Sequence, residues 1–128
     1  TDLFTVQKDD ILDLVIDMMD WRKIRYTPVE DKEGKLVGLI TLRMVLRHML
    51  KLRNHDPGTE PDITTAKDIM NKNPMVIDPN ATLHEAMTLM RENMIGCLPV
   101  VKNGELIGII TETDFLKIAG RLIDRLES

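Results

Sequence analysis

Two stretches of this chain are near copies of each other: Gly34-Lys35-Leu36-Val37-Gly38-Leu39-Ile40-Thr41 and Gly104-Glu105-Leu106-Ile107-Gly108-Ile109-Ile110-Thr111. They lie 70 residues apart, and the match extends upstream. Thr27-Pro28-Val29 falls on Leu98-Pro99-Val100 at a spacing of 71, the slip being one extra residue in the turn Glu30–Glu33. Phe4-Thr5-Val6 falls on Met75-Val76-Ile77, and Leu12, Val15, Ile16 and Met19 fall on Leu83, Ala86, Met87 and Met90. Matched blocks in one order with one single-residue gap are the signature of a duplicated unit. The units span 1–53 and 66–128, joined by a linker over 54–65 whose Asn54–Asp62 stretch has turn and linker composition.

Each unit reads alike. A short strand (Leu3–Val6, Met75–Ile77) precedes a helix with apolar residues at three- and four-residue spacing. Asp9 or Asp10 is placed to cap the first helix, and Asn80 to Thr82 the second. A strand opened by an X-Pro-Val step follows. A turn with Gly34 or Gly104 then leads to a buried apolar strand, Leu36–Ile40 or Leu106–Ile110, and to a second amphipathic helix from Thr41 or Thr111. The order β-α-β-β-α gives a mixed α/β (α+β) fold. One copy of about 50 residues buries too little surface to stand alone, so two copies are expected to pool their apolar faces with pseudo-twofold symmetry. The apolar faces of the last helices (Leu42, Val45, Leu46, Met49, Leu52, and Phe115, Leu116, Ile118, Ala119, Leu122, Ile123, Leu126) exceed the need of one small core. The surplus reads as an oligomer interface, with core burial as the alternative.

Composition bounds the function. Apolar residues make up 43% and charged residues 30% of the 128, as in globular proteins. No apolar run approaches the roughly 20 residues that cross a bilayer, so no membrane insertion is expected. Nothing at the N-terminus has the form of a secretory signal. The single Cys97 fits a reducing cytoplasm. A net charge of −4 argues against nucleic-acid binding, which needs a basic face. Aromatics are only 3% against nine methionines, so flexible thioethers fill much of the apolar surface.

The second unit, Ala66-Lys67-Asp68-Ile69-Met70 through Asn73-Pro74-Met75-Val76 and Leu98-Pro99-Val100-Val101 to Gly104–Asp114, resembles a cystathionine-β-synthase (CBS) domain. The first unit resembles one from its first strand onward. The resemblance implies a tandem CBS pair, or Bateman module. Such pairs form homodimers and sense AMP, ADP, ATP or S-adenosylmethionine for an attached enzyme, channel or transporter. The wording Asp2–Val6, Met18–Trp21 and Pro28–Asp31 resembles CBS pairs appended to bacterial carboxylate–amine ligases. It points to a fragment of a longer bacterial protein, lacking the stretch that precedes the first strand in unit 2.

Carried onto this sequence, the resemblance puts Asp114 on a ribose diol and Thr111 beside a phosphate at a helix start, where free N–H groups favour anions. They would share a cleft with Phe4, Ile24, Arg25 and Tyr26. Arg25 supplies a guanidinium fork for phosphate, and Ile24, Phe4 and Ile110 form an apolar bed for the base. Two plainer readings stand beside these. Thr-x-x-Asp at a helix start is also close to a capping box, and Arg25 can be a solvated charge beside Arg22 and Lys23. In the first unit Met44 stands where Asp114 stands in the second, and Ile95-Gly96-Cys97 carries no cation. That second cleft is expected to be empty or weak, leaving one good site per chain.

No enzyme is expected. His48, His55 and His84 lack metal-ligand spacing, no phosphate loop occurs, and Cys97 reads as a small buried hydrophobe. No cofactor is implied beyond the regulatory nucleotide. The alternatives to a nucleotide sensor are a ligand-free dimerisation module and an S-adenosylmethionine sensor. Trp21 reads as a packing or interface anchor.

Overall fold

A computed structural model describes residues 3–53 and 63–127. Of the expected linker 54–65, Asn54–Asp62 lies outside them. The chain divides into two compact units, one of 1–74 with 104–106, the other of 75–103 with 107–128.

Unit 1 contains α1 (Leu12–Arg22), β1 (Tyr26–Glu30), β2 (Leu36–Thr41), α2 (Leu42–Arg53) and the single turn α3 (Ala66–Ile69). Strands β1 and β2 pair antiparallel, Tyr26 opposite Thr41 and Val29 opposite Gly38, with an irregularity at Val29/Glu30. Asp31 closes their turn by accepting N–H bonds from Glu33 and Lys35, both at 2.9 Å. Gly34, at φ 83°, takes the left-handed position that costs a side chain strain. Leu12, Val15 and Met19 on α1 meet Val6, Val29, Ile40, Val45 and Ala66 in the core.

Unit 2 contains α4 (Leu83–Asn93), β3 (Cys97–Lys102), most of β4 (Glu105–Thr111), and α5 (Glu112–Glu127). Asn103 and Gly104, at φ 53° and 84°, make the two-residue turn that suits a tight hairpin. Its core is Ile77, Ala86, Met90 and Leu98, with Ile110 and Phe115 packed against them.

Several expectations are corrected. The short strands Leu3–Val6 and Met75–Ile77 reduce to one parallel bridge each, Val6 to Val29 and Ile77 to Val100. Each segment offers one residue whose N–H and C=O both reach the neighbouring strand: Val6 to Pro28 and Glu30 (3.1 and 2.9 Å), Ile77 to Pro99 and Val101 (3.0 and 2.9 Å). Neither Asp9 nor Asp10 caps α1. The cap position is Ile11 with no side-chain bond, because Asp10 accepts the Gln7 N–H in the preceding turn (2.8 Å). Thr82 does cap α4, accepting the Glu85 N–H at 3.1 Å. Strand β4, expected to be buried, is at most half-buried along its length, whereas β2 buries Gly38, Leu39 and Ile40.

Residues 66–71, read as the opening of the second repeat, pack within unit 1, together with Thr64 and Thr65 of the expected linker. Leu12 and Ala66 exchange N–H bonds with the carbonyls of Thr64 and Asp10, both 2.9 Å, and Leu39 and Asn71 bond each other in both directions (3.0 and 2.9 Å). Ala66 is fully buried, and a Cβ on Gly38 would stand 2.5 Å from Met70 Sδ. The segment is a strap over the first unit. Its turn is held by Thr65 and Asp68 in a capping box.

Candidate functional site

The candidate residues fall on both units: Phe4, Ile24, Arg25 and Tyr26 on the first, Ile110, Thr111 and Asp114 on the second.

In unit 2 the strand-to-helix junction is built by β4 ending at Thr111 and α5 starting at Glu112. The Glu112 N–H bonds the Gly96 carbonyl at 2.9 Å, tying the helix start to the residue before β3. Asp114 turns back toward the junction. Its Oδ2 accepts the Thr111 N–H at 2.8 Å and, more weakly, the Thr111 hydroxyl at 3.4 Å. Half of the capping box is therefore present. The other carboxylate oxygen, Oδ1, accepts no hydrogen bond among the described residues, and the side chain is half-buried at the positive end of a 16-residue helix. Ile110 packs on the core of this unit beside Phe115.

Unit 1 repeats the junction without the carboxylate. The Leu42 N–H bonds the Arg25 carbonyl at 2.8 Å, the counterpart of the Glu112–Gly96 bond. Thr41 Oγ1 accepts the Met44 N–H at 3.2 Å, and Met44 has nothing to return. Ile24 and Arg25 line a groove of about 520 Å³ between α1 and α2, with an apolar floor that includes Met19, Leu42, Val45 and Met49 and with Asp17, Asp20 and Lys23 at its edge. Tyr26 opens β1, half-buried opposite Thr41. Phe4 packs on the unit's core, and the Arg22 guanidinium lies 4.9 Å from its ring centroid. That cation–π contact was not read from the sequence, where Arg22 is one of three neighbouring cations.

Cys97 is buried on β3, and burial pushes its thiol up to about 12, with the nearby Glu112 charge adding to the effect. A thiol held neutral at physiological pH is a poor nucleophile. Among the described residues no helix is long and apolar enough to cross a membrane. Trp21 is 76% exposed, so among the described residues it anchors no packing.

The CBS domain family model matches residues 1–51 and 66–121. The chain belongs to the CBS domain family and carries two copies of the domain. A CBS domain-containing protein of Dictyostelium discoideum is 33% identical over 127 residues, covering 95% of this chain and 88% of its own. Among solved structures, that of a candidate acetoin utilization protein, AcuB, of Vibrio cholerae superposes with a TM-score of 0.86 at 29% identity, over 98% of this chain and 89% of that one. A further neighbour is CBSX2, solved in complex with AMP, with a TM-score of 0.81 and 26% identity over 94% and 89% of the two chains. The duplicated sequence and the two small sheets are thus those of a CBS pair.

Proposed function

We propose that this CBS pair is a regulatory, non-catalytic module that binds an adenine nucleotide, AMP, ADP or ATP, at one main site per chain and passes the ligand's presence to an attached or partner protein. The observation that carries this reading is the Asp114 carboxylate. One of its oxygens is fixed by Thr111, which orients the group, and the other is free to accept from a ribose hydroxyl. Thr111 would stand at the phosphate. Arg25, Ile24, Tyr26, Phe4 and Ile110 are assigned to the same ligand by the CBS pattern, Arg25 as a phosphate contact and the apolar groups as the bed of the base. The AMP complex of CBSX2 supports the ligand class.

The module acts in the cytoplasm as a homodimer in this reading. Leu46, Met49 and Leu50 on α2, Leu116, Leu122 and Ile123 on α5, and Trp21 are all exposed, and exposed apolar side chains on these helices support an interface between copies. Ligand changes the module's state only through unequal affinity for two arrangements.

Calorimetric titration with AMP, ADP, ATP and S-adenosylmethionine tests the reading, with Asp114→Ala and Asp114→Asn as companions. Binding near one nucleotide per chain that falls at least tenfold in both variants supports it. Heats of dilution for all four compounds point to a ligand-free dimerisation module. Preference for S-adenosylmethionine, unaffected by Arg25→Ala, points to a sensor of that compound. A merely capping Asp114 would show itself as lower thermal stability with unchanged affinity.

A further inference from the structure

Helix α2 is charged in one sense only. Between Leu42 and Arg53 it carries Arg43, Arg47, Lys51 and Arg53, together with His48 and no acid, in a chain of net charge −4. Its counterpart α5 sets Glu112, Asp114, Asp124 and Glu127 against Lys117, Arg121 and Arg125. Nothing in the packing of unit 1 requires this bias, since Val45 is the residue that α2 buries.

Two of these cations and the histidine line one cleft. Met44, Arg47, His48 and Lys51 share one helical face at three- and four-residue spacing, and together they line a cleft of about 240 Å³ closed by Asp68 and Ile69 of the strap. Arg47 and Lys51 make no ion pair or hydrogen bond among the described residues, whereas Lys67 of the strap pairs with Asp9 at 3.4 Å. The one acid in the cleft is already engaged. Asp68 Oδ2 accepts the Thr65 N–H at 2.7 Å and its hydroxyl at 3.2 Å. The Thr65 backbone bond above all holds this carboxyl below its usual range against the opposing effect of desolvation, with the Thr65 hydroxyl, Lys67 and His48 adding to the lowering. Two permanent cations and an imidazole therefore share the cleft with one carboxylate committed to a helix cap. Where α5 has Asp114 three residues before Lys117, α2 has Met44 before Arg47, so the carboxylate that would offset the cations is absent here.

We propose that this cleft of unit 1 is a binding site for a small phosphate-type oxyanion, held by the Arg47 fork and the Lys51 ammonium, with His48 donating and Met44 and Ile69 as an apolar floor. Size sets the class of ligand. Sites for drug-sized molecules occupy roughly 300–1,000 Å³, and this cleft is smaller, with room for a phosphate or pyrophosphate group. A guanidinium presents two parallel donors that match two phosphate oxygens, and the ammonium adds a mobile point charge. The site does not depend on the nucleotide reading of Asp114.

The test is an NMR titration of the 15N-labelled full chain with inorganic pyrophosphate at fixed ionic strength, sodium chloride serving as the control anion. Saturable shifts confined to amides of 44–51 and 65–69 are expected. Arg47→Ala with Lys51→Ala weakens the binding at least tenfold, while Lys117→Ala with Arg121→Ala on α5 leaves it as it was. The four side chains are exposed or near the surface, so both double variants fold, and the unshifted remainder of each spectrum verifies this. Absence of saturation up to roughly 10 mM pyrophosphate, or equal weakening by the two double variants, overturns the proposal.

Discussion

The two halves of this chain share a sequence pattern and an order of elements, yet they differ in how well they are covered. Leu12 is 2% exposed at the start of α1, and its counterpart Leu83 is 55% exposed at the start of α4. Gly38, Leu39 and Ile40 are buried on β2, while Gly108, Ile109 and Ile110 on β4 are half-buried. Val45 is buried on α2, and α5 buries none of its residues. The strap 64–71 accounts for most of this. It hydrogen-bonds Leu12 and Leu39, sets Ala66 into the core and lays Met70 over Gly38. No described segment does the same for β4. A repeat thus specifies its own elements, while the depth of its core depends on a segment written into its neighbour.

Substitutions at matched positions break or sharpen this contrast. Leu12→Ala removes a fully packed side chain and is expected to cost about 2–5 kcal/mol. Leu83→Ala, at a site open to water, stays within about 0.5 kcal/mol. Urea unfolding of the full chain compares them, and equal losses would mean that the strap does not set the difference. The glycines repeat the test on a smaller scale. A Cβ on Gly38 meets Met70 Sδ at 2.5 Å and the Asn71 carbonyl oxygen at 3.2 Å, whereas one on Gly108 meets nothing closer than Val100 at 3.9 Å. Gly38→Ala should destabilise by about 1–3 kcal/mol as the strap shifts, and Gly108→Ala should be close to neutral, as read by thermal unfolding.

Positions 26 and 97 differ in chemistry. Tyr26 is half-buried, but Cys97 is buried with its thiol raised from 9.0 to about 12. The unfolded chain therefore loses the thiol proton first as pH rises. Stability is unaffected by this group below about pH 9 and falls above it, with a limiting slope of about 1.4 kcal/mol per pH unit. Cys97→Ala removes that part of the alkaline slope, which denaturant titrations at pH 8 and pH 10 measure. The smallest expected effect is a gain. Thr27 is fully buried with its hydroxyl unpaired among the described residues, where Leu98 occupies the matching place in unit 2. Thr27→Val should stabilise by about 1 kcal/mol, the order of an unmet hydroxyl's desolvation cost.

The repeat, its β-α-β-β-α order and the Thr82 cap were legible because each is a local pattern. The Leu3–Val6 and Met75–Ile77 strands were overread: alternation and β-branched residues indicate extended chain, but the number of ladder bonds depends on the partner strand. The burial of β4 was overread for a related reason, since an apolar run does not say what will cover it. The strap was invisible because its sequence belongs to one repeat and its contacts to the other. At the candidate site, Thr-x-x-Asp marked a pair that the structure joins by a hydrogen bond, but the motif could not separate a cap from a ribose contact. The structure shows one oxygen capping and the other without a bond, so the two roles are compatible. The spacing of Met44, Arg47, His48 and Lys51 puts them on one helical face, but the sequence does not show that the strap packs beside it.

The central claim is one nucleotide site per chain, made by a carboxylate that the second repeat has and the first lacks. Equilibrium dialysis against labelled AMP counts it directly. The account predicts saturation at one AMP per chain, with binding lost in Asp114→Ala. Saturation at two per chain, or one AMP retained by the variant, would contradict it.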